Sequence, residues 1–339
     1  MFFIQLISIF ILTIILTSLQ IRYAEFLGFL DIPNQRSMHK KITPRGAGVA
    51  FVLSIFITLL LFDYEHLKNF SSIYIAISLV WFSGIWDDLK DISPKVKFIF
   101  IFIASLFLFK ENYAIFSIGT YFDHEIILPT WLAYVFTFFA IAGYTNALNL
   151  MDGLDGLAAS ITLVMLVTFL GIGLQHNDEL LISLSAFFIS TLIAFLLFNW
   201  NPAKIFMGDS GSLTLGFVIV VLTIQASKYI TPAAVLFIIA LPLLDTFIVM
   251  TRRKQRGMSL FEADKNHLHH FLHSVKADVR FTVLMLIAMQ AIFSIIGFQV
   301  QHSNDFLSIV LFILLFYIYF NLFDQRLRRR KKKKKKKLE

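Results

Sequence analysis

Residues 130–174 read TWLAYVFTFFAIAGYTNALNLMDGLDGLAASITLVMLVTFLGIGL. Two uncharged apolar runs, 130–148 and 156–174, flank a short polar turn that holds Asp152 and Asp155. Each run has the length that a bilayer asks of a helix. The pattern repeats along the chain, at 2–20, 46–62, 70–86, 96–109, 130–148, 156–174, 180–198, 211–227, 232–250, 281–300 and 306–323. The expected fold is therefore an all-α polytopic membrane protein with about eleven transmembrane helices. The first run lacks a basic start and a small-residue cleavage site, so it reads as a span and not a signal peptide. Within the loop 110–129, Gly119–Leu128 suggests a small strand or hairpin.

Composition agrees. Of 339 residues 58% are hydrophobic, 15% are charged and 39 are Phe. A soluble domain is nearer a quarter charged, and a disordered chain is poorer still in apolar residues, so both classes are excluded. The absence of cysteine removes disulfides, thiolate metal sites and a cysteine nucleophile. The net charge of +8 is misleading. Eleven of the 30 basic residues and one of the 22 acidic ones lie in 326–339, so residues 1–325 keep 19 basic against 21 acidic. That argues against nucleic acid as a partner and divides the chain into a membrane-embedded domain, 1–325, and a basic tail, 326–339. The tail suits an anionic membrane surface.

Orientation follows from the loops. Leaving the tail aside, one alternating set carries 16 Lys and Arg residues and the other carries three, Lys68, Lys110 and Lys228. The positive-inside rule places the first set and the C-terminus in the cytoplasm and the N-terminus outside. The cytoplasmic set also holds nearly all the polar residues of interest.

Asp87 and Asp88 follow the third run. Adjacent carboxylates beside apolar sequence repel each other and call for a cation or proton. Asn149-Leu-Met-Asp-Gly-Leu-Asp-Gly156 opens the sixth run, where Asp152 and Asp155 would share a helix face. Helix capping explains one of these Asp residues better than two. Asn201 begins the stretch leading to Met207-Gly-Asp-Ser-Gly211. Its amides at a helix start suit a phosphate, and Asp209 would tolerate that anion only through an intervening cation such as magnesium. His267, His269 and His270 lie in the inner loop 251–280 and suit phosphate contact better than zinc. The loop Asp31–Gly46 offers Arg36, His39, Lys40, Lys41 and Arg45, which orientation alone could explain. Asp245 falls inside the ninth run, where function and a structural ion pair are equally good explanations.

Together Asp87-Asp88, Asn149–Gly156, Phe206–Ser212, His267–His270 and Pro33–Gly46 resemble the polyprenyl-phosphate N-acetylhexosamine-1-phosphate transferase superfamily, glycosyltransferase family 4. The resemblance runs from about residue 31 to 273. It implies a bacterial inner-membrane enzyme that uses magnesium, with manganese as a substitute. Such an enzyme joins a UDP-amino-sugar to undecaprenyl phosphate on the cytoplasmic side and releases UMP. The product would start a surface polymer such as O-antigen, common antigen or teichoic acid. The His-Leu-His-His form resembles the N-acetylglucosamine-1-phosphate branch. The muramoyl-pentapeptide branch, which usually shows three consecutive histidines, ranks second.

By this resemblance magnesium falls to Asp209 with Asp88, and Asp87, Asp88, Asp152 and Asp155 form the catalytic set. Arg36, His39, Lys41, Arg45, Asn146, Asn149, Asn201, His267, His269 and His270 fall on the substrates. Membrane lipids are further partners, and a homodimer is compatible with the sequence. A secondary transporter and a non-catalytic scaffold remain as rival classes. A carrier would gather its charges near the bilayer midplane and show an internal repeat.

Overall fold

The structure is a computed structural model that describes residues 1–33, 41–255, 257, 268, 272 and 278–335, with side chains as far as Asn321. Each of the eleven apolar runs is helical. The helices used below are α1 (Phe2–Leu27), α2 (Gly48–Phe62), α3 (Tyr64–Asn69), α4 (Ser71–Lys90), α5 (Pro94–Lys110), α6 (Thr130–Met151), α7 (Leu157–His176), α8 (Glu179–Asn199), α9 (Gly208–Ala226), α10 (Pro232–Ile238) and α11 (Ala240–Gln255). Helices Val279–Gln299 and Asp305–Lys335 follow. Six of these are long and apolar enough to cross a membrane: α1, α6, α7, α8, α9 and Val279–Gln299. A bent pair, α10 with α11, makes up to seven. The chain is a multi-pass membrane protein, with six to seven candidate spans by length and composition among the described residues.

The centre of the bundle is α9. It is buried over 94% of its apolar window and packs on α2, α4, α6, α7 and α8. A helix that is apolar on every side belongs inside such a bundle. By contrast α1 is an inside-out helix. It turns Gln5, Thr13, Thr17 and Gln20 inward and leaves Ile4, Ile7, Ile11 and Ile15 exposed. Where lipid is as apolar as Leu, polar and small residues mediate helix contacts. Thr13 Oγ1 accordingly donates to Ser54 Oγ of α2 at 2.8 Å.

The ninth run is broken, which corrects the expectation of one continuous span. Helices α10 and α11 meet at an angle of 85°. Pro242 has no N–H to return to the carbonyl of Ile238 one turn earlier. The buried Gln290 repairs the break from the Val279–Gln299 helix. Its Nε2 donates to Ile238 O at 2.7 Å, and its Oε1 accepts from the Leu241 N–H at 3.2 Å. Asp245 lies in the second limb, 3% exposed, and accepts the Leu268 N–H at 2.8 Å.

The two sets of loops gather at opposite ends of the bundle. At one end β3 (Ser117–Tyr121) pairs with β4 (His124–Ile127) in the hairpin expected there. Asp305 accepts the N–H groups of Thr120 at 2.8 Å and Ala233 at 3.2 Å at that end. At the other, β1 (Leu30–Asp31) pairs with β2 (Thr43–Pro44), and the chain beyond β2 docks on the start of α9. There the N–H of Phe206 donates to Pro44 O at 2.8 Å, and that of Ala47 donates to Phe206 O at 3.3 Å.

Gln290→Leu will strand both backbone groups at the break, a loss of about 1–3 kcal/mol for each unsatisfied group. The thermal midpoint of the detergent-solubilised protein should fall accordingly. Adding Pro242→Ala, which restores an N–H for Ile238, should recover part of that loss. A Gln290→Leu midpoint equal to wild type would show that the bend does not depend on this side chain.

Candidate active site

Asp87 and Asp88 occupy the last turn of α4, beyond the apolar run that ends at residue 86. Neighbours in a helix point about 100° apart, and the two carboxylates face different partners. Asp88 is 2% exposed and turns onto the N-terminus of α9. The Asp209 N–H donates to its Oδ1 at 2.8 Å, and the Ser210 N–H donates to its Oδ2 at 3.0 Å. The contact is close because small residues allow it. A Cβ on Gly84 would lie 2.5 Å from the Asp209 carbonyl oxygen, and one on Gly208 would lie 2.6 Å from either oxygen of Asp88. The amides expected to hold a phosphate thus hold the protein's own carboxylate.

Asp87 faces the other way. Its Oδ2 lies 2.9 Å from Lys97 Nζ in the first turn of α5, and the same ammonium donates to Asp209 Oδ2. The Ile92 N–H donates to Asp87 Oδ1 at 3.0 Å. Lys97, counted above only among the inner-set charges, is thus a further site residue. The available signal was a lysine one turn into an apolar helix, a placement that calls for an acidic partner.

Asp152 and Asp155 do not share a helix face. The chain leaves the α-helix after Met151 and resumes it at Leu157, because Gly156 takes a left-handed φ of 75°. Asp152 caps the end of α6. Asp155 Oδ2 accepts from Asn201 Nδ2 at 2.8 Å and from the Ala203 N–H at 3.0 Å, which ties this turn to the segment before α9. Asn199, not singled out in the sequence, secures the same junction: its Oδ1 accepts the Gly156 N–H and its Nδ2 donates to Ile205 O. Asn149 Nδ2 donates to Ser212 Oγ at 2.8 Å and joins α6 to α9.

Of the remaining expected residues, Arg45 pairs at 3.5 Å with the exposed Asp91, while Lys41 and Asn146 are exposed. Arg36, His39, Lys40, His267, His269 and His270 lie outside the described residues. Arg280 reaches Asn201 O through its Nε at 2.9 Å, adding a basic group beside the junction.

Four carboxylates from three segments therefore converge: Asp87 and Asp88, Asp152, and Asp209. Burial, reinforced by the charge of Asp209, pushes Asp88 up to about 7. Burial and then the charges of Asp209, Asp88 and Asp155 push Asp152 up to about 7. Burial and Asp209 raise Asp87 to about 6 against the opposing pull of Lys97. Crowded, half-desolvated carboxylates beside a single ammonium make a site with a strong appetite for cations.

The glycosyl transferase family 4 model matches residues 70–227, which contain this whole cluster. A probable undecaprenyl-phosphate N-acetylglucosaminyl 1-phosphate transferase of Bacillus subtilis is 32% identical over 321 residues, covering 93% of this chain and 88% of its own. The chain belongs to glycosyl transferase family 4. Undecaprenyl-phosphate alpha-N-acetylglucosaminyl 1-phosphate transferases of Yersinia pestis and Escherichia coli K12 are 30% and 28% identical, each over 93% of this chain and 89% of theirs. In this family 4 member the matched segment runs from α4 to α9, the helices that supply Asp87, Asp88, Asp152 and Asp209.

The raised carboxyls set a pH dependence. A carboxyl that ionises near 6 to 7 when folded and near 3.8 in its ordinary state binds more protons in the folded protein. Its contribution is then fully present below about pH 4 and lost as pH rises through 6 to 7. With a chelator present, the thermal midpoint should drop between pH 5.5 and 8, and Asp152→Asn should flatten that drop. A midpoint that rises across the interval in wild type would contradict the crowding described here.

Proposed function

We propose that this protein transfers N-acetylhexosamine-1-phosphate, with N-acetylglucosamine as the favoured sugar, from a UDP-sugar to undecaprenyl phosphate. An oxygen of the lipid phosphate attacks the β-phosphorus of the nucleotide, the bond from that phosphorus to the bridging oxygen breaks, and UMP leaves. The reaction would run at the cytoplasmic end of the bundle in the bacterial inner membrane and start a surface polysaccharide. The observation that carries this reading is the convergence of Asp87, Asp88, Asp152 and Asp209 at one end of the bundle, in a chain whose relatives bear transferase names.

The donor set fits magnesium. Its oxygens are hard ligands, Asp87 and Asp209 already share one cation, and no cysteine competes. Among the described residues no group of three or more His, Asp or Glu side chains is placed to hold a metal ion by itself, so the ion would depend on substrate phosphates to complete its shell. We assign it to Asp209 with Asp87. Asp88 was the sequence-based second ligand, but both its oxygens are engaged by backbone amides, so its role here is to anchor α9. Bound there, magnesium would screen the repulsion between two polyanions.

The protein's own groups do the rest. Lys97 adds a positive charge beside Asp209, and Asp88 fixes the position of Asp209. Asp155 and Asn201 brace the loop that faces the donor. Arg45 and Arg280 supply basic groups at the rim.

The test is transfer of radiolabelled sugar phosphate from UDP-N-acetylglucosamine to undecaprenyl phosphate by purified protein, with and without magnesium. Asp209→Asn should lower turnover by a factor of at least about 10², the scale on which removing one electrostatic contact to the reacting charges acts, while the folded protein is retained in the membrane. Near-normal turnover by that variant would remove Asp209 from the metal role. A panel of UDP-sugars run in the same assay identifies the donor.

A further inference from the structure

Lys97 sits one turn into α5, whose first turn is set by Pro94. Its side chain is 21% exposed, and its ammonium is divided between Asp87 Oδ2, at 2.9 Å, and Asp209 Oδ2. These carboxylates come from α4 and α9, so a single lysine closes the gap between two helices of the cluster. An ammonium on a four-carbon stem is a compact charge that can swing while its backbone stays fixed. It thereby occupies one of the two oxygens that Asp209 could offer a hard cation.

We propose that Lys97 is a tethered cation that competes with the divalent ion for Asp87 and Asp209 and so sets the site's metal affinity. This rests on the metal assignment above. Two cations cannot share Asp209 Oδ2 without strong repulsion at contact distance. Entry of the ion therefore moves the ammonium off that oxygen, toward the open side of the site. The displaced charge is then free for a phosphate oxygen, so metal and phosphate should bind synergistically, each making the other's place. A lysine serves this better than an arginine. A guanidinium would pair with a carboxylate in a fixed two-pronged geometry and resist displacement.

The test uses the purified full-length protein and Mn²⁺, with free ion read by electron paramagnetic resonance. Lys97→Met should lower the half-saturating Mn²⁺ concentration about tenfold, the effect of removing one partly buried ion pair, while Lys97→Arg should not lower it. An unchanged or higher concentration for Lys97→Met would overturn the competition. Wild type that binds no Mn²⁺ would instead remove the metal assignment itself, so the two failures are distinguishable. A second measurement needs no variant. Acylation of Lys97 by an amine-reactive reagent, read by mass spectrometry, should rise when magnesium is added, while the distant Lys110 stays constant. Labelling of Lys97 that holds steady or falls, in protein that binds Mn²⁺, would also overturn the proposal.

Discussion

Everything at the candidate site is referred to one contact, the Asp88 carboxylate seated on the first amides of α9. The start of a helix presents unpaired N–H groups and a partial positive charge, and anions collect there. In many proteins a ligand takes that place. Here the side chain of another helix takes it, and two hydrogen bonds from backbone amides offset part of the cost of burying its charge. The contact locks the end of α4 to the start of α9. Asp87 and Asp209 ride on those two ends, so their separation is set by Asp88. The Asp-Asp pair divides its labour: one member builds the site and the other faces into it.

The opposite end of the bundle shows what structural carboxylates look like in the same protein. Asp178 accepts the Leu181 N–H, Gln225 Nε2 and the Tyr229 hydroxyl. Asp305 accepts two backbone amides. Each is buried, well supplied with donors and not crowded by a second carboxylate in its own hydrogen bonds. At the candidate site the carboxylates crowd one another and, among the described residues, Asp87 and Asp209 share the Lys97 ammonium, an arrangement expected to cost stability as the acids ionise. Natural sequences keep such a liability where function needs it.

The helices were legible because a bilayer imposes length and apolarity on each of them. Residue types at the site were legible too: the acidic pair, Asp152 and Asp209 stand out against apolar surroundings. Their partners were not, since Asp88 meets α9 across 121 positions and Lys97 meets Asp209 across 112. No local period encodes such distances. Pro242 lies inside the ninth run, whose length and apolarity are otherwise those of one span. The break became intelligible only with Gln290, a residue of another helix, in place. Asp152 and Asp155 do not share a helix face for a local reason: Gly156, in the left-handed region, lets the chain turn before α7 begins.

The location of the cluster also bears on chemistry. Asp87 closes α4, Asp152 caps α6 and Asp209 opens α9, so all three lie at helix ends on one side of the bundle. A carrier that moves a solute across needs its binding charges near the midplane, reachable from either side. A reaction between a water-soluble nucleotide and the headgroup phosphate of a lipid needs only one interface, because both phosphates already meet there. A lipid tail can remain among apolar helices while its phosphate stays at the interface, level with the helix ends. Four acids gathered at one end of the bundle suit such a transfer better than they suit alternating access.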